Sequence, residues 1–145
     1  LRINERGVWL IEMAGRSIGG LCSSVLEFGI GVRLEELILR HAVRLPLPAT
    51  ERTAHAAGVM MIPIPRGGML RAVHGEAEAS AVPGVTGVEI TAPLNQIIVP
   101  LPEGASYLGF IFARGDTPAQ AETTLRQAHA ALRFDIEPVI TLAAG

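Results

Sequence analysis

The stretch Tyr107-Leu-Gly-Phe-Ile-Phe-Ala-Arg-Gly-Asp-Thr-Pro-Ala-Gln120 joins a strong strand signal to a strong helix signal. Residues 107–113 are aromatic and aliphatic, which favours a β-strand. Thr117 then offers an N-cap, Pro118 suits the first helical position, and Gln120 stands at the third position of a capping box. Small and aliphatic residues follow at helical spacing: Ala121, Leu125, Ala128 and Leu132. The stretch therefore predicts a strand followed at once by a helix that runs to about Leu132.

Outward from that unit, short strand patterns outnumber helical ones between residue 57 and the C-terminus. Strands are predicted over 57–64, 69–73, 85–91, 96–99 and 134–137, and a short helix over 76–81. The turn Gly67-Gly68 should let 69–73 pair back on 57–64. The resulting order of β, β, α, β, β, β, α, β predicts an α+β fold. We expect an antiparallel-rich sheet with helices packed on one face, forming a C-terminal subdomain over 57–145.

Residues 1–48 form the other predicted region. Arg2-Ile3 and Val8-Trp9 flank a turn-like tetrapeptide and predict a hairpin, and the apolar run 8–13 predicts a buried strand. A glycine-rich loop at 15–20 and two helices, over 21–28 and 34–44, come next. The second helix carries Glu36 and Arg40 at i,i+4 spacing. A linker is predicted over 46–56. Because the chain starts inside a hairpin, we expect it to be a fragment.

The 145-residue chain is apolar and poor in charge, with 49% hydrophobic residues, 18% charged residues and a mean hydropathy of +0.38. It is too apolar to be disordered, yet no apolar run reaches the roughly 18 residues of a membrane helix. A formal charge of −2 gives no electrostatic bias towards nucleic acid. The composition instead predicts an apolar face that the chain cannot cover alone, and hence self-association as a homodimer.

All 12 basic residues are arginines. The absence of lysine excludes a Schiff-base lysine and a Walker A loop, so phosphate chemistry here needs arginine, backbone N–H groups or metal. The one cysteine, Cys22, excludes a disulfide framework and fits a reducing, cytoplasmic location. We expect it to be a small buried hydrophobe. The four histidines have no metal-ligand spacing: His41, His55, His74 and His129.

Glu12 is the most informative acidic residue because it interrupts the apolar run 8–13. A carboxylate in such a strand needs an arginine partner or a metal ion, and both interpretations remain open. Arg16 follows four residues later, beside Ser17-Ile18-Gly19-Gly20 at the predicted start of a helix. An arginine next to backbone N–H groups suits a phosphate or carboxylate, although it could equally pair with Glu12 or be solvated.

The stretch Gly15-Arg16-Ser17-Ile18-Gly19 also matches the G-x-S-x-G pattern of serine hydrolases. Only 16 residues precede Ser17, so the loop that donates half of the oxyanion hole is missing. Asp116 and His129, which straddle one capped helix, would have to complete the triad. A serine hydrolase is therefore a remote alternative.

The segment Trp9-Leu-Ile-Glu-Met-Ala-Gly-Arg-Ser-Ile-Gly-Gly20 resembles the last metal-binding strand of the ATP-grasp superfamily. Further similar stretches are Gly58-Val-Met-Met-Ile-Pro-Ile-Pro-Arg66, Pro83-Gly-Val85 and the strand–helix unit that begins at Tyr107. Together they resemble the C-terminal part of an ATP-grasp carboxylate–amine ligase, in the L-amino-acid ligase and biotin-carboxylase-like branches. The resemblance implies that 1–48 is the end of the ATP-grasp domain.

The resemblance also implies roles for individual residues. Glu12 corresponds to a magnesium ligand that bridges to ATP phosphates, and Arg16 to the catalytic contact with the substrate carboxylate or acyl phosphate. Ser17, Gly19 and Gly20 correspond to the backbone approach at the substrate end. Ala14 stands where the family usually has an asparagine ligand, so the second metal position departs from the family pattern.

The nucleotide-binding lysines and the other metal carboxylate of the family would lie upstream. The implied partners are therefore the missing N-terminal and central ATP-grasp lobes. Magnesium and ATP are expected in the intact parent enzyme, and none bound to this fragment alone. The alternative is a non-catalytic dimerisation or lid module.

Overall fold

The computed structural model describes residues 1–13, 15, 18–19, 21–29, 31–48 and 50–139. The chain divides into two compact units, Leu1–Arg52 and Thr53–Gly145. The boundary falls within the segment 46–56 that the sequence marks as a linker. Whether the first unit is the end of an ATP-grasp domain stays a prediction.

The first unit opens with the predicted hairpin, formed by β1 (Arg2–Asn4) and β2 (Gly7–Trp9). The Asn4 side-chain oxygen accepts hydrogen bonds from the Arg6 backbone N–H at 2.9 Å and from the Trp9 ring N–H at 3.2 Å. Gly7 has a φ of 127°, a conformation that favours glycine. The asparagine and the glycine thus both stabilise the turn.

The predicted helix over 21–28 is wrong. A single 3-10 turn covers Cys22–Val25, and the chain then forms β3 (Glu27–Phe28) antiparallel to β4 (Val32–Arg33). The reason lies in Gly29 and Gly31, which have φ values of 53° and 74° and reverse the chain. Cys22, expected to be buried, is only partly buried.

The second predicted helix is confirmed as α1 (Leu34–Ala42), two residues shorter than expected. Arg40 Nε lies 2.7 Å from Glu36 Oε1, so the predicted i,i+4 pair forms. The helix ends where Arg44 turns to a φ of 59°. Leu37 is its one buried residue.

The second unit has the predicted order of elements: β5 (Ala56–Ile62), β6 (Gly68–His74), α2 (Glu76–Ser80), β7 (Val85–Ile90), β8 (Ile97–Ile98), β9 (Gly109–Gly115), α3 (Pro118–Ala131) and β10 (Arg133–Glu137). Its strands form two antiparallel three-stranded sheets, ordered β5-β9-β7 and β10-β6-β8. Helix α3 packs on β9 and β5, and α2 packs on α3 and β7. The α+β class with an antiparallel-rich architecture is therefore confirmed.

One predicted strand pairing is wrong. β6 does not pair back on β5 but lies between β10 and β8 in the other sheet. The connection after Ile62 contains Pro63 and Pro65, which cannot donate to a tight hairpin ladder, and it places Ile64 in the core. The prolines carry the chain from one sheet to the next.

The core of the second unit lies between its sheets and α3, with Ile62, Leu70, Leu108 and Ile111 fully buried. At Gly58 a Cβ atom would come within 2.9 Å of Leu125 Cδ1, so the glycine lets α3 approach the sheet closely. The predicted capping box is present: Thr117 accepts from the Gln120 N–H, and the Gln120 side chain accepts from the Thr117 N–H.

Candidate functional site

The structure places Glu12 in a different setting from the buried strand that the sequence predicts. β2 ends at Trp9, and residues 10–13 follow as irregular, exposed backbone. Leu10, Ile11 and Met13 are 65%, 67% and 82% exposed, and Glu12 is exposed with them. The prediction of a buried strand over 8–13 is therefore wrong. No third strand pairs with this hairpin in the described part of the chain.

The other predicted site residues fall largely outside the described residues. Arg16, Ser17 and Gly20 are not described, and neither is Ala14. Gly19 is described and is exposed. The contact between Glu12 and Arg16, the glycine-rich approach and the Gly15–Gly19 hydrolase motif therefore stay predictions.

Within the described ranges, no group of three or more His, Cys, Asp or Glu side chains converges as a metal site would require. Glu12 alone supplies a single exposed carboxylate, whereas protein-bound Mg²⁺ takes carboxylates together with phosphates and waters. The described residues therefore do not form a complete magnesium centre.

His74 has a partner that its spacing in the sequence does not reveal. Its Nε2 atom lies 3.0 Å from Asp135 Oδ2, across the pairing of β6 with β10. Both side chains are largely exposed. This contact between strands accounts for His74 as a surface residue, in line with the absence of metal-ligand spacing.

A polar cluster that sequence reasoning missed lies on the sheet β10-β6-β8. Arg71 Nε donates to Glu137 Oε2 at 2.7 Å, and Arg71 Nη1 donates to Asn95 Oδ1 at 3.0 Å. The guanidinium thus ties β6 to β10 and to the loop before β8. These residues lie far apart in sequence, and only the strand pairing, which was predicted wrongly, could have brought them together.

The described part of the second unit has depressions at two places, and neither Glu12 nor Gly19 lines them. The first, of about 410 Å³, has Ile98 and Phe110 at its base and a neutral polar rim of Thr91, Gln96, Ser106 and Tyr107. It contains no charged lining residue and suits a neutral group. The second lies at the start of α3 and contains both Arg114 and Asp116, so its lining charges offset each other.

Glu35 is the described carboxylate with a clear electrostatic perturbation. The Ser23 side chain hydrogen-bonds to it, and this contact holds the pKa of the Glu35 carboxyl below its usual value. The backbone N–H of Glu35 and the nearby Arg33 act in the same direction, against a small effect of burial. The carboxylate lies in the first turn of α1, where negative charge is favourable, so its role is to stabilise the helix start.

None of the helices in the described part of the chain is long and apolar enough to cross a membrane.

The family relationship comes from a match over residues 60–137, from β5 to the end of β10, to the model named L-amino acid ligase C-terminal domain 2. That match covers more than half of the chain. The chain belongs to the L-amino acid ligase C-terminal domain 2 family. Its membership confirms the resemblance to the C-terminal part of an ATP-grasp ligase.

Solved structures extend this family's fold to nearly the whole chain. The L-amino acid ligase from Bacillus licheniformis superposes with a TM-score of 0.77 at 22% identity, covering 94% of this chain and 34% of the ligase. The N5-carboxyaminoimidazole ribonucleotide synthetase from Thermotoga maritima superposes with a TM-score of 0.63 at 18% identity, covering 93% of this chain and 35% of the synthetase. At these identities the likeness concerns the fold alone. The chain spans about a third of the length of both enzymes. No curated protein sequence matches it.

Proposed function

We propose that this chain is the C-terminal portion of an ATP-grasp ligase that activates a carboxylate as an acyl phosphate and joins it to an amine. The observation that carries the proposal is the family match over residues 60–137. The superposition on an L-amino acid ligase supports it, since the aligned region includes 94% of this chain and about one third of that enzyme. In the intact parent, the remaining lobes would provide the nucleotide site.

The first unit supplies the residues that we assign to the reaction. Glu12 lies three residues beyond β2, and its carboxylate is open to solvent and accessible to a ligand. We assign it as one magnesium ligand, with the other ligands coming from the remaining lobes and the ATP phosphates. Arg16 would hold the acyl end of the substrate, with Ser17, Gly19 and Gly20 approaching through their backbone.

The reaction class can be tested on a longer natural protein that includes this sequence. Phosphate release from ATP should require both a carboxylate and an amine, because the acyl phosphate is consumed only when an amine attacks it. Glu12→Gln should lower this activity at least a hundredfold. Glu5→Gln, which removes another exposed carboxylate from the same hairpin, is the matched control and should leave it unchanged. Equal loss in both variants, or phosphate release that needs no amine, would contradict the proposal.

The isolated chain should be inactive and should not bind ATP tightly. It has no lysine to hold phosphates, and its described residues form no complete metal centre. Calorimetry with Mg-ATP should therefore show no binding tighter than millimolar. A micromolar dissociation constant that Glu12→Gln abolishes would mean that the site is complete in this chain.

We place the protein in the cytoplasm, on the evidence of its single, unpaired cysteine.

A non-catalytic dimerisation or lid module is the second candidate. The exposed apolar hairpin favours it, because Ile3, Val8 and Trp9 are each more than half exposed. The two candidates differ in one measurable respect. A natural protein that begins near Leu1 and has no upstream lysine-bearing lobe supports the module, and a longer protein with ATP-dependent ligation supports the ligase.

A further inference from the structure

The two edges of the sheet β5-β9-β7 are built differently. At one edge, β7 shifts register against β9 between Val85 and Gly87 and carries the charged Glu89. At the other edge, β5 pairs with β9 in unbroken register over all seven residues, Ala56–Ile62. No strand among the described residues pairs with the outer side of β5.

Free edges of this kind are usually protected, because unpaired N–H and C=O groups invite another strand. Proteins protect them with charged residues, prolines or bulges. β7 has a bulge and a charge, whereas β5 reads Ala-Ala-Gly-Val-Met-Met-Ile and has none of the three. The outer edge of β5 is therefore competent for strand pairing, and the outer edge of β7 is not.

The two faces of β5 are settled by its neighbours. Gly58 lies against Leu125 of α3, Met60 packs against the core, and Ile62 is fully buried, so the even-numbered residues face the helix. Val59 and Met61 belong to the opposite face, and Met61 is 36% exposed there. Any added strand must keep these two faces aligned, since a slip of one residue would reverse them.

The sequence of β5 is complementary in size to itself. Its first three residues are small (Ala56, Ala57 and Gly58), and its last three are large (Met60, Met61 and Ile62). An antiparallel pairing centred on Val59 places each small residue opposite a large one of a second copy. The same pairing keeps both faces aligned. In each facing pair (56 and 62, 57 and 61, 58 and 60) the two residues are both even-numbered or both odd-numbered, so their side chains lie on the same face.

We propose that two copies of this chain pair through β5, antiparallel about a two-fold axis at Val59. The β5-β9-β7 sheet of one copy and the same sheet of the other copy then become one continuous sheet of six strands. This gives the homodimer expected from the composition a defined interface. The inference rests on the geometry of β5 and is independent of the proposed ligase function.

The charges on α3 fit the same arrangement. Thr124 Oγ1 donates to Pro83 O at 3.4 Å, so that flank of α3 faces β7. Glu122 and Arg126 lie on the opposite flank, towards β5, where they form an exposed ion pair of 2.7 Å. A two-fold axis runs the two α3 helices antiparallel, at a spacing of about 10 Å that is normal for packed helices. Because Glu122 and Arg126 lie one turn apart, the two-fold rotation brings the glutamate of each copy towards the arginine of the other.

Disulfide trapping tests the proposed register directly. In a Cys22→Ser background, Val59→Cys should form a covalent dimer under mild oxidation, because the two Val59 Cα atoms would lie about 5 Å apart. Met61→Cys lies on the same strand and face and is the matched control. In this register residue 61 of one copy faces residue 57 of the other. The two residues at position 61 are then four positions apart along the strand, about 13 Å, which is beyond the reach of a disulfide. Cross-linking of Met61→Cys as efficiently as Val59→Cys would overturn the proposal.

Sedimentation of the whole chain tests the interface without a cross-link. Val59→Arg should raise the dimer dissociation constant at least tenfold, because two like charges then face each other across the axis. An equal mixture of Val59→Arg and Val59→Glu should restore association. Thr86→Arg, on the exposed edge of β7, should change nothing. A chain that sediments as a monomer at every concentration would overturn the proposal and favour a strand from another part of a longer protein.

Discussion

The two units of the chain differ in what they bury. In the described part of the chain, every buried hydrophobic residue except Leu37 belongs to the second unit. Most contacts of the first unit are local, namely the Asn4 hydrogen bonds, the Gly29–Gly31 reversal and the Glu36–Arg40 pair, and a backbone bond from Gly29 N–H to Glu51 O adds a longer-range one. The comparison teaches that the second unit has a core of its own, whereas the first unit is held mainly by backbone and side-chain hydrogen bonds and buries one hydrophobic residue among those described.

The largest expected effect is the loss of a core side chain in the second unit. Leu70 is fully buried in β6, so Leu70→Ala should lower the free energy of unfolding by about 2–5 kcal/mol through lost burial and a residual cavity. Leu39→Ala in α1 is the matched control, since Leu39 is 66% exposed, and it should cost less than about 0.5 kcal/mol. Urea denaturation measures both. Equal losses of unfolding free energy in the two variants would contradict the difference between the two units.

A smaller effect is expected from the start of α3. Thr117→Ala removes the oxygen that accepts from the Gln120 N–H, and it should cost about 1 kcal/mol. The contrast is with α1, whose N-cap Arg33 makes no side-chain capping bond. Arg33→Ala should therefore leave the helix start little changed. Thermal unfolding followed by circular dichroism distinguishes them, and a larger loss from Arg33→Ala would reverse the contrast.

The smallest effect concerns pH and the first unit. The pKa of Glu35 is lowered chiefly by Ser23, so the charged carboxylate stabilises the fold above its unfolded pKa of about 4.5. That stability is lost as the pH falls through the lowered folded value. Ser23→Ala should move the pKa of Glu35 back up, and an NMR titration of its side chain reads this directly. Ser24→Ala is the control, because the Ser24 hydroxyl donates to Leu21 O instead. An unchanged pKa in Ser23→Ala would contradict the assignment.

Local signals in the sequence predicted the second unit well. The capping box at Thr117, the aromatic strand before it and the order of the elements all depend on residues close in sequence, and the structure has them. The pairing of β6 was not predictable in the same way. The partners of β6 in β10 are 59 to 68 residues away and leave no local pattern, and Pro63 and Pro65 signal only that a tight hairpin is disfavoured.

The candidate site shows the other limit of sequence reasoning. Glu12 stands in an apolar run, and such a run predicts burial without saying what provides the cover. In the structure, Leu10, Ile11 and Met13 are exposed around it. The residue types of the motif were visible in the sequence, whereas other ligands to join Glu12 would have to come from distant parts of the chain, and these leave no local signal.

The Arg71–Glu137 contact has a consequence for synthesis on the ribosome. It joins residues 66 positions apart, and β10 pairs with β6 over the same interval. When β6, α2 and β7 have emerged from the ribosome, β10 has not. Leu70 of β6 therefore still lacks its partner Ile136 of β10. The second unit therefore acquires its native fold only after β10 has emerged, and stalling before β10 would leave β6 unpaired on that side.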